Sequence, residues 1–103
     1  MDSVGLIQMT SGPSPELNLA YLAQEVAKCK KLGAKWVVCP ENALVFGSKA
    51  DYHQYAEPLS DGPLQKKLFE LAKLHRMWIV VGSMPISTTE GVTTTTLVID
   101  DFG

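Results

Sequence analysis

Only two cysteines and two histidines occur among the 103 residues. Two cysteines are too few for a disulfide framework. No pair of these residues has zinc-site spacing, so neither a metal nor any other cofactor is expected. Charge is sparse as well: charged residues make up 19% and the net charge is −2. No basic surface is therefore expected to attract nucleic acid or an anionic membrane. Apolar runs extend over only a few residues, too short to span a bilayer. Asp2 and the lack of an early lysine or arginine differ from a secretory signal, and a cytoplasmic location is expected. No glycine-rich phosphate loop follows the first apolar stretch, where Thr10-Ser11-Gly12 is only a turn signal. What is present is a 46% hydrophobic chain, apolar enough to build a core and long enough for one domain at most.

The pattern reads as strands alternating with helices, without repeats or low-complexity linkers. Residues 4–9 suggest an opening strand, followed by a turn-rich break at Ser11-Gly12-Pro13-Ser14-Pro15. Leu19, Leu22, Ala23, Val26 and Cys29 recur at helical spacing and predict one apolar face of a first helix. Lys28, Lys30 and Lys31 lie in its last turns, where cations complement the helix dipole, and Gly33 suits the C-cap. Residues 42–61 form a connection longer than loop statistics favour, which points to a function or a short extra helix. A second helix is predicted from near Asp61-Gly62-Pro63, with Leu64, Leu68, Leu71, Ala72 and His75 on one stripe. Trp78-Ile79-Val80-Val81-Gly82 reads as a buried third strand, Met84-Pro85 to Gly91 as a turn region, and Val92 to Asp100 as a final strand. The order β-α-β-α-β-β argues for βαβ units around a parallel sheet, an α/β fold.

The most informative stretch is Trp36-Val37-Val38-Cys39-Pro40-Glu41-Asn42-Ala43. Four apolar residues without polar alternation read as a buried strand. Pro40 cannot donate to a ladder, so pairing is expected to stop there. Glu41 then falls just past the carboxyl end of a strand, where open α/β sheets place their ligand crevices. Held against apolar neighbours, a glutamate has its charged form disfavoured, which suits general-base work. By itself the octapeptide also suits a solvated loop glutamate.

The opening strand, Asn18-Leu19 at the first helix, Gly33-Ala34 before Trp36, the Pro-Glu after the strand, Gly82-Ser83, and Leu97-Val98-Ile99-Asp100 with Gly103 together resemble the N-terminal portion of the nitrilase superfamily. These are the carbon–nitrogen hydrolases, and the likeness is to an amidase branch that acts on small ω-amide acids and deaminated glutathione. The resemblance covers essentially the whole chain. It implies that residues 1–103 are the N-terminal portion of a single hydrolase domain, about half of a four-layer αββα sandwich. It also implies a Glu-Lys-Cys mechanism on non-peptide carbon–nitrogen bonds of small amides, with Glu41 as the general base. The lysine and nucleophilic cysteine of that pattern lie beyond Gly103, so this chain is expected to be inactive alone. One apolar sheet face is expected to be uncovered, which implies a homo-oligomer or association with the missing C-terminal half. Thr94 stands where the family carries an asparagine and Thr93 where it carries an aromatic, although β-branched threonines suit a strand.

Several residues have competing readings. Cys29 and Cys39 read as small buried hydrophobes. Cys39, two residues before Glu41 on an extended chain, is also a candidate thiol partner for that carboxylate. His75 reads as a partly buried helix-end histidine or a ligand, and His53 as a loop histidine or a substrate contact. Substrate-binding residues are not identifiable. The alternative to an amidase is a small non-catalytic α/β binding or interaction module.

Overall fold

The computed structural model describes residues 3–9 and 11–103, so Thr10 of the expected turn lies outside the described residues. The elements run β1 (Ser3–Leu6), α1 (Pro15–Lys31), β2 (Ala34–Cys39), α2 (Lys49–Tyr55), β3 (Glu57–Pro58), α3 (Pro63–His75), β4 (Trp78–Thr88) and β5 (Gly91–Ile99). The alternating α/β order is as the sequence suggests, and the long connection holds both a short helix, α2, and the two-residue strand β3. No helix among the described residues is long and apolar enough to cross a membrane.

Helix α1 begins earlier than its apolar stripe suggests. Ser14 is the N-cap and Pro15 occupies the first turn, where a missing N–H costs nothing. The helix ends at Lys31, and Gly33 follows at φ +88°, a left-handed conformation that favours glycine. Its buried residues Asn18, Leu22 and Val26 lie four apart on one face, and Leu68 and Ala72 of α3 are buried in the same core as Leu22 and Val26. Each fully buried leucine or valine stabilises the fold by about 1.5–3 kcal/mol.

The sheet is ordered β1-β2-β4-β3, with β5 also paired to β4. The β1–β2 and β2–β4 pairs are parallel, as expected when a helix carries the chain between strands. Val37 pairs Ile79, Cys39 pairs Val81, and these side chains face the helices with Ile7 and Ile99. The opposite face carries Val4, Leu6, Trp36, Val38, Trp78, Val80 and Val98, as the strand registers require. Val4, Leu6 and Val98 are exposed there, and Trp36 stacks on Trp78 with ring centroids 4.6 Å apart. The uncovered apolar face is thus present in the fold.

Strand β4 corrects one expectation. Residues Met84 to Thr88 are strand rather than turn, and the hairpin reverses at Thr89-Glu90. Pro85 does not stop the strand. Counting from the Thr88–Gly91 closing pair, Pro85 stands opposite Thr94 in a non-hydrogen-bonded pair. Its missing N–H therefore points to the other edge of β4, beyond the last residue paired with β2.

Candidate active site

The edge of β4 that faces β2 is interrupted. Pairing with β2 ends at Cys39–Val81, and pairing with β3 starts only at Glu57–Ile86. The chain leaves β2 at Pro40, beside that break, and Glu41 follows at the carboxyl end of a central parallel strand. This is where crevices open in sheets of this kind.

The segment after Glu41 is anchored deeply. Ala43, Leu44 and Val45 are fully buried. Ser11 Oγ donates to the Ala43 carbonyl at 2.8 Å, and the Phe46 amide donates to the Gly12 carbonyl at 2.9 Å. Asn18, also buried, donates through Nδ2 to the Gly12 and Leu44 carbonyls at 2.8 Å each and accepts from the Gly12 amide at 3.1 Å. Asn42 adopts a left-handed φ of +54°. Its amide donates to Ser83 Oγ at 2.9 Å, and Ser83 Oγ donates in turn to Asn42 Oδ1 at 3.4 Å.

Glu41 itself is exposed, and its carboxylate makes no hydrogen bond or ion pair among the described residues. The apolar enclosure expected from its sequence neighbours is not supplied by this chain. Val38 and Trp36 lie on the uncovered sheet face, whereas Cys39 and Ala43–Val45 turn into the helix-side core.

Cys39 is 1% exposed. Burial, with a smaller contribution from the Cys29 thiol, pushes its thiol up to about 12. A thiol held protonated in the core is not a nucleophile, so the candidate Cys39–Glu41 pair is not formed. Cys29 is half-buried on α1, and burial followed by the Glu25 charge raises its pKa. His75 is half-buried at the end of α3, and His53 is exposed on α2. No cluster of histidine, cysteine, aspartate and glutamate among the described residues is suited to a metal.

Sequence reasoning missed a buried carboxylate. Glu57 on β3 is 6% exposed and accepts from the Leu64 and Gln65 amides at 2.7 and 3.0 Å. It also accepts from Gln65 Nε2 at 3.2 Å, while Gln65 Nε2 reaches the Pro58 carbonyl at 2.7 Å. Gly62 provides no side-chain cap for α3, so Glu57 caps the helix from the neighbouring strand. The dipeptide Glu57-Pro58, followed by Gly62-Pro63, was the available signal.

A groove of about 880 Å³ lies between α1 and α3, lined by Leu19, Ala20, Ala23, Leu71 and Leu74 with Glu16, Lys67, Glu70 and Lys73 at its rim. It sits on the helical layer, away from the strand ends, and its lining includes no cysteine, serine or histidine. The strand ends around Glu41, not this groove, provide a carboxylate on a fixed turn.

Comparison with known proteins bears on the family and the fold. A family model described as carbon–nitrogen hydrolase matches residues 3–103. The chain is 39% identical over 104 residues to deaminated glutathione amidase of Yersinia enterocolitica, covering 98% of this chain and 36% of that protein. It thus spans little more than a third of that relative's length. The fold resembles that of the C. elegans NitFhit protein, with a TM-score of 0.86 and 23% identity over 99% of this chain and 26% of that one. Nit3 of Saccharomyces cerevisiae, a member of branch 10 of the nitrilase superfamily, gives a TM-score of 0.85 at 21% identity, covering 97% of this chain and 40% of that one.

Proposed function

The chain belongs to the carbon–nitrogen hydrolase family, and from that premise we propose that it is the N-terminal part of an amidase whose general base is Glu41. The observation that carries the proposal is the placement of Glu41. It follows a proline at the carboxyl end of a central parallel strand, on a turn anchored from both sides.

In the complete enzyme, Glu41 takes the proton of a cysteine thiol supplied by the remainder of the domain. The thiolate attacks the amide carbon, and a lysine with backbone donors stabilises the oxyanion. Glu41 passes that proton to the leaving nitrogen, ammonia departs, and the freed carboxylate then activates the water that hydrolyses the thioester and restores the thiol. Short ω-amide acids, including deaminated glutathione, are the proposed substrates, supported by the amidase of Yersinia enterocolitica at 39% identity. Among the described residues Cys39, the cysteine nearest Glu41 in sequence, is buried and held protonated, and the 103-residue chain is inactive alone under this reading. Its uncovered face, with Leu6 75% exposed and Val98 58% exposed, is proposed to be covered by the remainder of the domain or by a second copy. That cover would also dry the surroundings of Glu41, which this chain leaves open to water.

The test is ammonia release from a panel of short ω-amides. It compares the chain alone, the chain joined to a downstream segment carrying lysine and cysteine, and the joined form with Glu41→Gln. Activity is expected only in the second, and Glu41→Gln should lower kcat by about 100-fold or more. Near-normal turnover of the Glu41→Gln form would remove Glu41 from the base role.

A further inference from the structure

We propose that the bulge at Gly82-Ser83 in β4 is the device that positions Glu41, with Ser83 as its principal positioning residue. The inference rests on the reading of Glu41 as the general base.

Val81 pairs Leu97 and Met84 pairs Thr95, so Gly82 and Ser83 together stand opposite the single residue Thr96. Two residues against one is a β-bulge, which bends its strand and re-aims the groups at that point. Thr96 Oγ1 donates to the Gly82 carbonyl at 2.7 Å and holds the bulge from the β5 side. On the other side, the bulge meets the turn that carries Glu41.

Gly82 makes that meeting close. A Cβ at residue 82 would stand 2.7 Å from the Cys39 carbonyl oxygen, 2.7 Å from the Pro40 carbonyl carbon and 2.8 Å from the Glu41 nitrogen. The backbone leading into Glu41 therefore lies against β4 more tightly than any side chain at that position would permit. Ser83 acts on the residue that follows. Its hydroxyl accepts from the Asn42 amide at 2.9 Å and donates to Asn42 Oδ1 at 3.4 Å. Asn42 is thereby held at φ +54°, a region that asparagine tolerates but that persists only where the surroundings fix it.

Glu41 is thus gripped through both flanking peptides. Its own side chain is exposed and unbonded among the described residues. The bulge therefore sets where the Glu41 Cα sits and the direction in which its side chain leaves the backbone. A general base must lie within hydrogen-bond reach of the proton that it removes, and a misplacement of about 1 Å can cost a factor of about 100.

The experiment compares Ser83→Ala, Ser83→Thr and Glu41→Gln in the complete enzyme of which this segment is proposed to be part, measuring kcat, KM and thermal midpoint for ammonia release. Ser83→Ala is expected to lower kcat by about 10- to 100-fold while KM changes less than about twofold. Ser83→Thr, which keeps the hydroxyl, should recover most of the loss. Amide exchange at Asn42 should quicken in Ser83→Ala and not in Ser83→Thr, a readout that needs no turnover. An inactive Glu41→Gln beside a Ser83→Ala of normal kcat would overturn the positioning role alone. So would a Ser83→Ala loss that the threonine variant fails to relieve, with Asn42 exchange unchanged. A fully active Glu41→Gln would overturn the base reading and this inference with it.

Discussion

The side chain of Asn18 fastens α1 to the connection that follows Glu41, donating to the Leu44 carbonyl at 2.8 Å across 26 residues of sequence. The same carboxamide pairs both the amide and the carbonyl of Gly12, so one buried residue satisfies three backbone groups. Replacing it by alanine removes the partner of the Gly12 amide and of the buried Leu44 carbonyl, while the Gly12 carbonyl keeps the Phe46 amide. Each buried, unsatisfied group costs about 1–3 kcal/mol.

Asn18→Ala is therefore expected to destabilise the fold by about 2–4 kcal/mol, as measured by urea unfolding. A loss below about 0.5 kcal/mol would be no larger than a neutral surface change and would refute the anchoring role.

The Cys39 thiol gives the fold a sensitivity to alkali. Its pKa is raised from 9.0 to about 12, chiefly by burial. The native state keeps this proton after the unfolded chain has lost it. The stability so contributed is fully present below about pH 9 and is lost as pH rises toward 12. Wild-type stability should fall faster than that of Cys39→Ala over this window, by up to about 1.4 kcal/mol per pH unit. Equal slopes for the two proteins would rule the effect out.

Glu57 holds the first turn of α3 through the Leu64 and Gln65 amides. Glu57→Ala should cost about 2–4 kcal/mol, since charge-assisted bonds to buried donors are lost together. Hydrogen exchange should quicken first at Leu64 and Gln65. Uniform quickening across the sheet, with α3 unaffected locally, would argue against the cap.

Trp36 and Trp78 lie stacked on the uncovered sheet face. If a second layer covers that face, their emission should shift to the blue and become harder to quench with iodide. Val38→Lys, placed on the same face, should then weaken the docking of that layer by about tenfold or more, because a charge is buried unpaired. Emission that stays the same when the chain is joined to its downstream segment would locate the contact elsewhere.

Much of this architecture was legible in the residues. Uninterrupted apolar runs at Trp36–Cys39 and Trp78–Val81 marked strands buried on both sides or awaiting cover, and the period of Leu22, Val26, Leu68 and Ala72 marked the helices. Pro85 misled because a proline stops a strand only when its N–H is needed, and β2 has already ended where Pro85 points. The exposure of Glu41 is the solvated-loop alternative that its octapeptide also suited, because its apolar neighbours bury themselves in directions that exclude it. The Ser83–Asn42 bond joins residues 41 positions apart and leaves no local trace. Gly82-Ser83 inside an apolar run did carry a signal, since a lone glycine in a strand often marks a bulge or a close approach.

The two-residue reversal at Thr89-Glu90 also bears on the order of assembly. The β4–β5 ladder closes locally, whereas the β1–β2 and β2–β4 ladders must first enclose whole helices. Hairpins form in about 1–10 μs, and pairings between distant segments are slower because chain closure precedes any reward. The ledge at Gly82-Ser83 should accordingly exist before β2 arrives to rest against it. Glu41 reaches its place as a late arrival on a surface made ready for it, and full-length chains trapped early in refolding would hold the formed hairpin with Glu41 not yet seated.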